Sequence, residues 1–171
     1  MTRTTSAAFR AASFAQETGE VVVTLLTIMH DSLADPIRLS NDPTQRVDGT
    51  GASQPAYGTV SRGDTYLFCP FQLLLPDDQD RTSPAARLRL SNVHQDLIPL
   101  LRSVDTPASV LVEVVLASAP DDVEVSFPPL DLSEATFDAA EIEVDLVMDT
   151  LENEPYPAES FDPSGFPALF G

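Results

Sequence analysis

Lysine and tryptophan are absent from this chain of 171 residues, and cysteine and histidine barely occur: Cys69, His30 and His94 complete both inventories. A single cysteine excludes an intrachain disulfide and any multi-cysteine zinc or iron–sulfur cage. Two histidines leave few bases for nucleophilic hydrolysis, and neither Cys69 nor any serine sits in a Gly-x-Ser-x-Gly elbow. No apolar run approaches the ~20 residues of a bilayer-spanning helix, and no signal-peptide-like segment opens the sequence. The expectation is a soluble protein from the reducing side of a membrane, with no membrane contact. Apolar residues make up 43%, enough for a core without disulfide or metal.

Positive charge is scarce and unevenly placed. Nine Arg stand against 27 acids, a net charge of −18. All nine Arg lie at or before Arg102 with 11 acids, whereas residues 103–171 hold the other 16 acids and no base. Such a surface repels phosphate, so specific nucleic-acid binding is not expected. The acidity serves either solubility or a surface that must avoid DNA or meet a basic partner.

Residues 4–16 are Ala-rich, with Thr4, Thr5 or Ser6 as N-cap, and predict a short helix ended by Gly19. Val21 to Met29 is a continuous β-branched and apolar run, the mark of a strand covered on both faces. Ile37 to Ser40 predicts a short strand, and residues 41–61, rich in Asn, Asp, Gly, Pro, Ser and Thr, a long surface loop. Tyr66 to Leu75 is strand-like, with Pro70 requiring an edge or a bulge. In Ala86 to Leu90, Arg87 and Arg89 alternate with Leu88 and Leu90, giving a half-buried strand with an arginine face. A second short helix is predicted from Leu97 to about Val104, and a central strand from Val110 to Ala117, interrupted only by Glu113. Asp121-Asp122 reads as a turn into a strand from Val123 to Phe127, stopped by Pro128-Pro129. Residues 139–149 alternate most regularly: Ala140, Ile142, Val144, Leu146 and Met148 against Glu141, Glu143, Asp145 and Asp149. That pattern gives one buried and one acidic face.

The sum is a mainly β fold of six to eight strands, an antiparallel sandwich or barrel with two short helices. It comprises one domain over 1–150 and an extended Pro- and aromatic-rich arm over 151–171, which carries Tyr156, Phe161, Phe166 and Phe170.

No motif carries enzymatic chemistry. Cys69, between Phe68 and Pro70, reads as a small buried hydrophobe. His30-Asp31 is a doublet without further metal ligands. Asp77, Asp78 and Asp80 lack the spacing, Gly and distal Glu of a calcium loop. No metal or cofactor is expected, and the chain is not expected to be an enzyme.

Several strings in fixed order carry a resemblance. Ala15-Gln16-Glu17-Thr18-Gly19-Glu20-Val21 is followed by Pro36-Ile37-Arg38-Leu39, Arg62-Gly63-Asp64-Thr65-Tyr66 and Leu75-Pro76-Asp77-Asp78. Ala86 to Val93, Asn153-Glu154-Pro155-Tyr156-Pro157 and Phe166 to Phe170 complete the series. The sequence resembles a family of small tail proteins of long-tailed bacteriophages and prophages, catalogued as a domain of unknown function. The resemblance implies a structural part of the tail tip, assembled in the host cytoplasm and carried in the virion. Its place would be a distal-tail or hub ring joining the tail tube to the receptor-binding apparatus, beside the tape-measure protein. The role is similar to that of minor tail protein L of lambda-like phages, except that one cysteine cannot hold that protein's iron–sulfur cluster.

With that role, the residues take places. The acids Glu141, Glu143, Asp145 and Asp149 would line an acidic lumen through which DNA passes. Arg87 and Arg89 would face acids of the next subunit in a trimeric or hexameric ring, or else form an ordinary solvated strand face. The aromatics of 151–171 would anchor on a neighbour, or pack on their own sheet. The alternative function is an acidic adaptor that mimics the charge of DNA.

Overall fold

A computed structural model describes residues 5–31, 33–48, 55–74, 85–91, 108–137 and 141–147. Among them lie one helix, α1 (Ala7–Phe14), and eleven strands. In chain order the strands are β1 (Val22–Met29), β2 (Ile37–Ser40), β3 (Gln45–Arg46), β4 (Tyr57–Ser61), β5 (Asp64–Phe68) and β6 (Phe71–Leu74). They continue as β7 (Ala85–Ser91), β8 (Ser109–Leu116), β9 (Ala119–Ser126), β10 (Leu130–Phe137) and β11 (Glu141–Val147). The fold is mainly β, as the alternating and β-branched runs predict.

All strands belong to one sheet, ordered β3-β4-β5-β2-β1-β8-β10-β11-β7-β6, with β9 paired to β8. Every pairing is antiparallel except β2 with β5, so the sheet is mixed rather than wholly antiparallel. β1 and β8 run side by side over eight residues, from Val22 opposite Leu116 to Met29 opposite Ser109. β9 and β10 follow one another along the other edge of β8. Phe127 keeps the ladder across the Pro128-Pro129 interruption by donating its N–H to the Val112 carbonyl. The two prolines therefore divide a strand instead of ending the pairing, and β10 is a strand that the sequence reading did not include.

Three further expectations change. The stretch 41–61 is not simply a loop: β3 and all of β4 fall within it, and Arg62 and Gly63, both at positive φ, form the tight turn between β4 and β5. Asp121 and Asp122 lie inside β9, the turn being at Ala117-Ser118. Of the three cap candidates Thr4, Thr5 and Ser6, Ser6 caps α1, and the helix ends at Phe14, where Ala15 turns extended, well before Gly19. The helix expected at 97–104 and the arm 151–171 lie outside the described residues, as do the Asp77–Asp80 turn and His94.

The sheet curls. In a flat sheet β2 and β7, five places apart, would be separated by about 24 Å. Two residues span that gap. Cys69 donates its N–H to the Ser40 carbonyl (2.9 Å), and Ser91 donates its N–H to the Pro70 carbonyl (2.9 Å). The run Tyr66–Leu75 thus splits at Cys69-Pro70, where proline has no N–H for the ladder, into strands on opposite arms.

The core follows. Leu26 and Ile28 on one face of β1 pack with Leu39, Leu88, Leu90, Val110, Val112, Ile142, Val144 and Leu146. On the other face Val23 and Leu25 meet Tyr66 and Val115. β1 is covered on both sides, which is why its sequence shows no alternation.

Candidate functional site

β7 and β11 pair in a register that places Arg89 opposite Glu143 and Arg87 opposite Asp145. Period-2 alternation sends Ala86, Leu88, Leu90, Ile142, Val144 and Leu146 into the core and the charged residues outward. Arg87 Nε lies 3.1 Å from both Asp145 Oδ1 and Glu143 Oε1, and Arg89 Nη2 is 3.3 Å from the same Glu143 oxygen. Asp145 first, then Glu143, raises the Arg87 guanidinium above its ordinary value. The arginine face and the acidic face expected separately from sequence are one interlocked ladder within a single chain. Cross-strand pairs so exposed are screened by solvent and add little stability, so their weight lies in shaping the surface charge.

Glu141 stands at the end of this ladder, exposed and without an ion pair among the described residues. It borders a cleft of about 470 Å³ where the chain crosses from β5 to β6. Pro43, Phe68, Pro70 and Phe71 supply its apolar wall, and Gln72 and Arg89 part of its polar rim. The sequence shows Phe68, Pro70 and Phe71 as parts of a strand-like run, but only the crossover gathers them with Pro43 into a cleft. Asp149, Tyr156, Phe161, Phe166 and Phe170 lie outside the described residues.

Glu113, the one charge in the central strand, is 6% exposed. Arg62, from the β4–β5 turn, grips it with two hydrogen bonds, Nη1 to Oε1 at 3.0 Å and Nη2 to Oε2 at 2.5 Å. The Arg62 N–H also donates to Asp121, and Ser61 Oγ donates to the Pro120 carbonyl at 2.7 Å, so the turn is latched onto β9. Elsewhere the Arg46 side chain, doubly bonded to Asp48 at 2.6 Å, holds that carboxyl at about 2.

Two further sequence candidates, Cys69 and His30, lie apart from the ladder. Cys69 is fully buried, and burial pushes its thiol up, away from the reactive thiolate. His30 lies at the start of a turn, its carbonyl accepting the Leu33 N–H at 3.0 Å. Among the described residues no three His, Cys, Asp or Glu side chains are grouped as a metal site, and no helix is long and apolar enough to cross a membrane.

What the molecule offers is thus a charged β face beside an aromatic cleft on a curled sheet. The model of one family, described as a domain of unknown function (DUF1833), matches residues 8–161. The chain belongs to the DUF1833 family. That match runs from α1 through β11, so the ladder and the cleft both fall within the DUF1833 domain. No curated protein matches the sequence.

Proposed function

We propose that this DUF1833 protein is a non-enzymatic structural component of a bacteriophage tail tip, a distal-tail or hub ring between the tail tube and the receptor-binding apparatus. The order of strings that resemble the small tail proteins suggests it. The observation that carries it is the segregation of charge: every Arg lies at or before Arg102, and 16 of 27 acids lie beyond. A closed ring requires two complementary surfaces on each subunit. Arg87 and Arg89 retain guanidinium N–H groups beyond those bound to Glu143 and Asp145, available to carboxylates of the next subunit. Glu141 and its neighbours Glu143, Asp145 and Asp149 bias a lumen against phosphate. The arm 151–171 grips a neighbouring subunit through Tyr156, Phe161, Phe166 and Phe170. The curled sheet acts as a part-closed barrel that keeps these surfaces rigid. Partners are further copies, the tail tube, the tape measure and the receptor-binding proteins, and the protein resides in the virion.

Light scattering on the purified protein at low and high salt, with negative-stain images of each fraction, tests this. Rings of three or six subunits that loosen as salt rises are expected. A salt-independent monomer that does not bind neighbouring tail proteins, but competes with DNA for a basic protein, would replace this reading with that of an acidic adaptor.

A further inference from the structure

α1 has eight residues and buries none of them. A helix that short is marginal in water without tertiary packing. Two bonds hold its start: Ser6 Oγ accepts the Phe9 N–H at 3.0 Å, and the Ser6 N–H donates to the buried Glu124 carboxylate at 2.6 Å. Thr5, Phe9 and Ala12 are half-covered, whereas the opposite stripe, Ala7, Arg10, Ala11 and Phe14, is open to solvent. Phe14 is 89% exposed. Positions i, i+3, i+4 and i+7 are those by which a helix seats in a groove. Arg10 makes no ion pair among the described residues. Arg3 and Arg10 precede the first acid, Glu17, so this end carries positive charge in a chain that is acidic as a whole.

The cleft beside β6 has the complementary character. Its wall of two prolines and two phenylalanines suits an aromatic ring, and its volume of about 470 Å³ admits one with the small side chains beside it; at its rim Arg89 is tied to Glu143, whereas Glu141 makes no ion pair among the described residues. We propose that α1 of one copy docks in this cleft of the next. Phe14 enters between Pro43, Pro70, Phe68 and Phe71, and Arg10, one helical turn away, meets Glu141, which this contact places in the subunit interface, leaving the lumen to the other acids. The two surfaces differ, so the contact is head-to-tail and propagates around a ring. This inference rests on the self-assembly reading above and names its contact.

The test uses the full chain and compares assembly by light scattering across concentration. Phe14→Ala and Arg10→Glu should each weaken association at least ~10-fold. Because α1 buries nothing, both variants should keep the wild-type melting temperature. Glu141→Arg should weaken association likewise, and the double variant Arg10→Glu/Glu141→Arg should restore it. A Phe14→Cys copy mixed with a Gln72→Cys copy should form an intermolecular disulfide. Assembly unchanged in Phe14→Ala and Arg10→Glu would overturn this contact while leaving the ring to another surface. A disulfide formed only within one chain of the doubly substituted protein, Phe14→Cys/Gln72→Cys, would also overturn it. Wild-type protein that stays monomeric at every concentration would overturn this contact, and if it also fails to bind neighbouring tail proteins it would overturn the tail-tip reading as well.

Discussion

Glu113 shows how much one side chain depends on another. A carboxylate on the central strand, 6% exposed, would be costly if unpaired, and Arg62 neutralises it from a turn 51 residues away in sequence. Arg62 does so at φ 52, a left-handed conformation that costs a residue with a Cβ about 1–2 kcal/mol. Arg62→Ala leaves that backbone cost and strands the carboxylate. It should destabilise the protein by about 2 kcal/mol, less than a fully buried pair would because the guanidinium is partly hydrated. Arg62→Ala/Glu113→Leu should recover much of the loss, since no buried charge then remains. Urea midpoints decide it, and Arg62→Ala as stable as wild type would show that water already satisfies Glu113.

At the scale of elements, strand contact sets what each position tolerates. Gly58 on β4 faces Leu67 on β5, and a Cβ there would overlap the Tyr66 backbone carbonyl. That carbonyl belongs to the paired strand and cannot move without breaking the ladder. Gly58→Ala should therefore cost about 1–3 kcal/mol. Gly63→Ala meets no atom within 4 Å and pays only for its φ of +86, and Gly19→Ala, with open space around it, should be near neutral. Thermal unfolding of the three variants should follow the order Gly58, Gly63, Gly19 from most to least harmed. A neutral Gly58→Ala would mean that β4 and β5 are not so closely paired.

Across the whole molecule, stability should behave as one unit. The largest core cluster draws on β1 and β2 from one arm and on β7 and β11 from the other, joined through Cys69. Leu88→Ala, in the middle of that cluster, should cost about 2–5 kcal/mol and move a single unfolding transition without splitting it. Two separate transitions, with the β7–β11 arm melting first, would contradict the shared core.

The sequence alone determined the elements whose pattern is local. Alternation placed β7 and β11 and assigned Arg87, Arg89, Glu143 and Asp145 to an outer face. The unbroken apolar run gave β1 its two covered faces, and the Thr4-Thr5-Ser6 cluster marked the start of α1, which Ser6 caps. Short range is what these signals share: a side-chain period or a cap is written within a few residues. Tertiary structure alone decided the rest. β3, β4 and β10 sit among Gly, Pro and Asp residues that favour turns, and become strands because a neighbour offers a ladder for their backbone groups. The parallel pairing of β2 with β5, the pairing of the two charged strands with each other, and the cleft at Cys69-Pro70 all arise from the curl of the sheet. They join residues 20 to 100 positions apart, and no periodicity in one stretch of chain encodes which distant stretch will lie beside it.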